Sequence, residues 1–279
     1  MSNERESIEK NDTGVLRPED CLICCLGENN PRYHFEIWTL FRTVIKFGGR
    51  IAAAKRFALF VGDIDKQIAD ALQRLGVTVR VVQPVDRRAP YANKLRMLEL
   101  NEPYEVMIAI DCDTVVARDF YNQLSPSHVQ AKYAPLNPFP QGKWRILLSR
   151  YGLPFPESAN IPYFNSGVLT IPRQHADDIR AAWGKYVGLL LKDRPVLPRF
   201  RHYQLDQIAL TLALLEERAV AVKPYPAVMN YQIKRPYPNT DPYIIHHHHK
   251  TRFGLLREVG QQIPDRAIRR INSFLRKGE

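Results

Sequence analysis

The sequence predicts an α/β protein in which a mostly parallel sheet is flanked by helices and followed by a helical tail. Strand-like and helix-like patterns alternate about every twenty-five residues, the signature of parallel strands joined by covering helices. The run "VMIAI", residues 106–110, is apolar at every position, as expected of a strand buried on both faces. That run ends in the paired carboxylates of "DCD", residues 111–113, where sheets of this class bind their ligands.

The elements follow in order. "CLICCL" reads as the first strand, residues 33–47 as an amphipathic helix, and "FALFVG" as the second strand. Residues 65–75 form a helix closing at Gly76, and "VTVRVV" is the third strand. Residues 91–100 make a short helix before the apolar fourth strand. Three segments result: a mobile N-terminal tail (1–19), a main domain (20–250) and a basic amphipathic C-terminal helical region (251–279). In that last region Ile268, Ile271 and Leu275 share one stripe among Arg266, Arg269, Arg270, Arg276 and Lys277. Such a helix packs on its own domain or lies on an anionic lipid surface.

Composition narrows the setting. With 279 residues, 45% of them hydrophobic, the chain can bury a sizeable core. Its apolar runs fall short of the roughly 18 residues that a membrane span needs. Residues 1–20 are polar and lack the apolar middle of a secretory signal, so a cytoplasmic location is expected, with peripheral contact at the inner face of a membrane as its variant. The four cysteines show no disulfide-framework spacing and fit a reducing compartment. Cys21 and Cys24 form a C-x-x-C without the second ligand pair of a zinc site. The net charge of +11 calls for an acidic partner, and no recognition module points to nucleic acid.

Asp111 and Asp113 carry the chemistry. In an extended backbone, residues two apart project to one side, so both carboxylates face the ligand and Cys112 points back into the protein. Two like charges about 6 Å apart at an effective dielectric near 20 repel by roughly 3 kcal/mol, which a divalent cation would relieve. Carboxylate oxygens suit Mn²⁺ or Mg²⁺, particularly where phosphate oxygens complete the shell. The plainer alternative is a solvated loop, with Asp113 capping a helix around residues 117–124.

Four stretches in order change the weight of that pair. "NKLRMLELNEPYEVMIAIDCDTVVARDF" is followed by "YFNSGVLTIPR" (163–173), "QLDQIALTLAL" (204–214) and "YIIHHHHK" (243–250). Together they resemble the GT-A fold nucleotide-sugar glycosyltransferases, the glycogenin-like group in particular, over about residues 20–250. The resemblance implies a Rossmann-like GT-A domain, a nucleoside-diphosphate sugar donor with a UDP-sugar foremost, and transfer with retention. It implies Asp111, Asp113 and a histidine as metal ligands. The family pattern selects His246 directly after the apolar pair, with His248, on the same side of an extended segment, as second choice. It also implies a lysine at Lys94 that neutralises the diphosphate or holds the aspartates. Asp206 and Gln207 become the catalytic candidates, contacting the donor sugar. The family's glycine and lysine beyond the histidine are missing at their spacing, because Lys250 comes early for a diphosphate ligand.

The residue types support these roles independently. Asn165 and Ser166 can hydrogen-bond sugar hydroxyls, and Gly167 lets a strand backbone approach a ligand, although N-S-G also suits a turn. Asp206 can cap a helix whose Ile208, Ala209, Leu212 and Leu215 face the core. If the reaction inverts, Asp206 is the carboxylate available as general base. The segment 135–158 is expected to select the acceptor, a glycan, lipid-linked or protein hydroxyl. Two rivals are a haloacid-dehalogenase-like phosphatase, since "DCDTV" resembles its nucleophile loop, and a nucleotide-binding module without catalysis. The phosphatase loop normally ends its domain's first strand, whereas at least three strand patterns precede this one.

Overall fold

The computed structural model describes residues 16–87, 89–156, 160–193, 204–216, 222–233, 241–249, 251–252, 255–256 and 265–277. Residues 1–15, most of the predicted tail, lie outside them.

The first strand, β1 (Cys21–Glu28), leads into α1 (Pro31–Phe47). Asn30 caps α1 by accepting the Tyr33 amide at 3.2 Å, and Pro31 occupies the first helical position, where no amide hydrogen is needed. β2 (Lys55–Val61), α2 (Lys66–Arg74) and β3 (Thr78–Val82) follow. α2 is capped by Asp65, which accepts the Gln67 amide at 2.7 Å, and the chain leaves it through Gly76 at φ +68°. The predicted helix at 91–100 is a 3-10 helix, Pro90–Glu99, before β4 (Val106–Ile110). Then come β5 (Thr114–Val116), β6 (Val129–Tyr133), α3 (Gln141–Arg150), β7 (Phe164–Pro172) and α4 (Arg173–Lys192). α5 (Leu205–Glu216), β8 (Val222–Pro224), β9 (Tyr231–Gln232), β10 (Ile244–His246), a β11–β12 pair (Thr251–Arg252, Leu255–Leu256) and α6 (Asp265–Arg276) complete the order.

The main sheet runs β3-β2-β1-β4-β7-β6-β8. Its strands are parallel except β7, which runs against both neighbours, β4 and β6. Alternation of side chains splits the core in two. Cys21, Ile23 and Cys25 join Ile37, Leu40, Phe41 and Val44 of α1 on one face. Leu22 and Cys24 join Trp183, Tyr186 and Leu212 from α4 and α5 on the other. Cys21 and Cys24 therefore point to opposite faces, which rules out their sharing a zinc ion.

The small sheet β5-β10-β9 sits beside the main one, with β5 antiparallel and β9 parallel to β10. Val115, Tyr231, Ile233 and Ile245 of this unit pack against Ala267, Ile268 and Ile271 of α6, with Leu275 partly buried alongside. The apolar stripe of the C-terminal helix is thus spent on its own domain. Phe274 meets Phe47 edge to face at 5.4 Å, and the Arg270 guanidinium donates to the Ala117 carbonyl. No described helix is long and apolar enough to cross a membrane.

Two local expectations are corrected. Residues 117–124 form no α-helix for Asp113 to cap; a 3-10 turn, Tyr121–Gln123, takes their place, and Asp119 accepts the Tyr121 amide at 2.9 Å. The N-S-G segment is no turn, because it lies inside β7, where backbone pairing overrides its turn preference.

Ile271 is fully buried between α6 and the small sheet. Ile271→Ala should cost about 2–5 kcal/mol in denaturant unfolding while leaving the far-ultraviolet spectrum unchanged.

Candidate active site

β4 delivers Asp111 to the carboxyl edge of the sheet. Its amide donates to the Gly167 carbonyl at 2.8 Å, extending the β4–β7 ladder by one bond. The chain then turns instead of staying extended, and Thr114 Oγ1 closes the turn on the Asp111 carbonyl at 2.7 Å. Both carboxylates still face one cavity of about 440 Å³. Cys112 sends its Sγ to within 3.6 Å of Glu36 Oε2 on α1.

One half of the cavity is organised by Lys94. Its Nζ lies 2.7 Å from Asp111 Oδ1, 3.0 Å from Ser166 Oγ and 3.2 Å from Asp206 Oδ2. Ser166 Oγ in turn donates a hydrogen bond to Asp206 Oδ2 at 2.6 Å. Burial works against the ammonium, but Asp111 and Asp206 outweigh it and hold Lys94 protonated, above its ordinary range. Burial pushes the Asp111 carboxyl above its usual value; Lys94 pulls it down, and the Asp113 charge pushes it up again. Asp206 spends its carboxylate on Ser166 and Lys94, the sequence having suggested a helix cap. Its Oδ1, on a side chain 2% exposed, has no hydrogen-bond partner among the described residues.

The other half is built by the histidine run. β10 pairs with β5 so that His246 stands opposite Thr114, and the His247 amide donates to the Asp113 carbonyl at 2.9 Å. His246 Nε2 reaches Asp113 Oδ1 at 3.0 Å, and its Nδ1 faces Asn230 Oδ1 at 3.2 Å. Asp113, His246 and His248 each offer a ligand atom within 4.8 Å of the others. Burial would raise the Asp113 carboxyl, but His246, then His249 and His247, hold it well below the carboxylate range. Burial likewise opposes charge on His246, and Asp113 more than offsets it, so its pKa is raised. His247, buried with less compensation, falls to about 4.

The run is not extended throughout. His248 and His249 take left-handed backbone, φ 50° and 58°, and the chain curls back over Asp113. The ring of His248 stacks on that of His246 at 4.1 Å, and His249 turns to the same side. The strict alternation of an extended segment, which would put His249 on the side opposite His246, fails at this turn. Lys250 lies outside the described residues.

The two halves are joined by amides. Asn165 Oδ1 accepts from the Gly167 amide and from Asn230 Nδ2, each at 2.8 Å, and Asn165 Nδ2 donates to Gln207 Oε1 at 3.3 Å. Gly167 admits the imidazole rather than a ligand: a Cβ there would lie 2.7 Å from His246 Cε1. Sequence reasoning missed Asn230, Glu36 and His249. Asn230 belongs to no motif. Glu36 had a signal, since it stands one turn before Leu40 on the buried stripe of α1, where an apolar residue is expected.

Gly167→Ala should push the His246 ring off Asp113 and cost about 1–3 kcal/mol of stability through overpacking. The ring's proton resonances should then titrate at a lower pH than in the parent.

Comparison with known proteins places this cavity. The sequence matches the family model of the Rhodobacterales glycosyltransferase domain over residues 38–217, more than half of the chain. No curated protein matches it in sequence. The fold resembles the galactosyltransferase LgtC, in complex with donor and acceptor sugar analogs, at 14% identity and TM-score 0.57, over 91% of this chain and 96% of that one. It also resembles the bifunctional glycosyltransferase WbbM (13%, TM-score 0.55, 85% of this chain and 47% of that one). The glycosyltransferase GlyE of Streptococcus pneumoniae TIGR4 follows (17%, TM-score 0.52, 81% and 54%). The chain thus spans about half the length of the latter two. These likenesses carry the fold, and the family match removes the phosphatase rival. The chain belongs to the Rhodobacterales glycosyltransferase domain family and is a glycosyltransferase of the GT-A fold.

Proposed function

We propose that the chain is a metal-dependent glycosyltransferase that moves a sugar from a nucleoside-diphosphate sugar, a UDP-sugar foremost, to a hydroxyl acceptor with retention of configuration. The observation that carries this reading is one cavity with two poles. Asp113, His246 and His248 gather ligand atoms within 4.8 Å, and across from them Lys94 binds Asp111, Ser166 and Asp206.

The donor set fits a divalent cation. Mixed carboxylate oxygen and imidazole nitrogen favours Mn²⁺ over Mg²⁺, which prefers oxygen ligands in a strict octahedron. Asp113 and His246 would hold the cation, with His248 beside them and Asp111 facing the same space. When bound, it supplies positive charge where the departing diphosphate oxygen becomes anionic.

The chain's own residues do the remainder. Asn230 fixes the His246 ring so that Nε2 faces Asp113. Lys94 keeps a permanent positive charge at the cavity wall. Asp206, with Oδ2 held by Ser166 and Lys94, offers Oδ1 to a sugar hydroxyl. Gln207, next to it on α5, is held by Asn165 and lines the cavity beside the donor sugar. A carboxylate committed in this way orients the sugar rather than takes a proton, which favours retention over Asp206 as an inverting base.

The acceptor belongs to a second cleft, of about 430 Å³, at the same edge of the sheet. Tyr133, Asn137, Asn160 and Tyr163 line it, and Tyr133 stacks on Phe164 at 5.2 Å. Aromatic faces with amides suit a glycan hydroxyl, free, lipid-linked or on a protein. A cytoplasmic location fits the reduced cysteines. Arg269, Arg276 and Lys277, on the exposed side of α6, suit peripheral contact with an anionic membrane.

A thermal-shift screen of nucleotide sugars with Mn²⁺ and with chelator tests the reading. One donor should raise the melting temperature only with Mn²⁺, and Asp113→Ala should abolish the rise; silence from every donor refutes it. Asp206→Ala should lower kcat/KM by about 10²–10³-fold in a sugar-release assay. The raised pKa of His246 gives a pH dependence. Below that pKa, which lies above 6.5, the ring carries a proton that metal must displace, so Mn²⁺ affinity falls about tenfold per pH unit on acidification. Calorimetric titration in buffers of different ionisation enthalpy measures the proton released.

A further inference from the structure

We propose that Glu36 and His249 form a carboxylate–imidazole pair that presents His249 Nε2 as an additional ligand to the divalent cation. This rests on the reading that Asp113, His246 and His248 hold that cation.

Glu36 sits on α1, far in sequence from every site motif, with a side chain only 1% exposed. A carboxylate is expensive to bury unless hydrogen bonds satisfy it. Here the bonds are specific: Oε1 lies 2.7 Å from His249 Nδ1, and Oε2 takes the Cys112 thiol at 3.6 Å. A carboxylate that receives the Nδ1 proton of a neutral imidazole fixes the tautomer and leaves the Nε2 lone pair on the far side of the ring. That far side is the cavity. His249 Nε2 lies 3.6 Å from Asp113 Oδ2, the second oxygen of the carboxylate whose Oδ1 meets His246.

His246 is oriented in the same manner, with Nδ1 on the Asn230 amide oxygen and Nε2 toward Asp113 Oδ1. Asp113 therefore has an oriented imidazole at each oxygen, one backed by an amide and one by a buried carboxylate. The left-handed pair His248–His249 makes this possible, because an extended run would carry His249 to the other side. Tyr33 closes the ring's flank edge to face at 6.3 Å.

The test uses the full chain with Mn²⁺ alone, without nucleotide. Affinity is read from the electron paramagnetic resonance signal of free aquo-Mn²⁺, and ligand nitrogens from pulsed measurements on the loaded protein. His249→Asn should remove one imidazole nitrogen coupling and weaken Mn²⁺ binding by about tenfold or more. Glu36→Ala should have the same effect on affinity, and none further in the His249→Asn background. Glu36→Gln, whose amide oxygen still accepts the Nδ1 proton, should retain most of the affinity. Unchanged nitrogen couplings and affinity in His249→Asn overturn the inference. If Asp113→Ala still abolishes binding in that case, the metal reading stands without it; a parent protein that binds no Mn²⁺ overturns both.

Discussion

The site depends on the pairing of β5 with β10. β5 begins immediately after Asp113, and β10 ends at His246, so one antiparallel ladder sets the carboxylate and the imidazole side by side. The residues are more than a hundred positions apart in sequence, and their loop-closure entropy is met by the small sheet and the helix beneath it. Val115 and Ile245 anchor the two strands in the core that α6 completes. The C-terminal helix thus supports the chemistry without touching it, because loosening its contact would loosen the register of the ladder.

Around that ladder the cavity is a balance of buried charge. Burying carboxylates in apolar surroundings is costly unless each finds a partner. Asp111 has Lys94, Asp113 has His246 and His249, Asp206 has Lys94 and Ser166, and Glu36 has His249. The partners unite elements that no single motif spans: the 3-10 helix before β4, the reversed strand β7, the first turn of α5 and the end of β10. An empty pocket of like charges would push these elements apart. Compensation by Lys94 and the histidines lets the cavity exist before any ligand arrives, which is electrostatic preorganisation in structural form.

Much of this was legible in the sequence, for identifiable reasons. The alternation of strands and helices is set by local periodicity, so β1 to β4 and their helices fall where the pattern puts them. The two aspartates stood out because carboxylates one residue apart interrupt an apolar run at a strand end. Lys94, Ser166 and Asp206, which the motifs singled out one by one, lie within bonding distance of one another. What escaped depends on geometry that periodicity does not encode. The turn at Cys112 and the left-handed histidines break the extended backbone on which the two-residue argument relied. Asn230 and Glu36 act through contacts that only the assembled fold creates. Gly167 was read as room for a ligand, and the room is taken by the His246 ring.

The reversal of β7 shapes how such a protein can diversify. A strand running backwards presents its opening residues at the same rim where its neighbours present their closing ones, so Ser166 and Asp111 reach the same Lys94 ammonium and Asn165 lines the same cavity. The stretch between β6 and β7, carrying α3 and the second cleft, then behaves as an excursion from a fixed frame. None of the described side chains lining the Asp111 cavity comes from it, and although Trp144, Leu147 and Leu148 pack into the core, changes at its exposed positions leave the anchoring of that cavity unaltered. The architecture separates what is held constant from what is free to be exchanged, and places the boundary at Phe164.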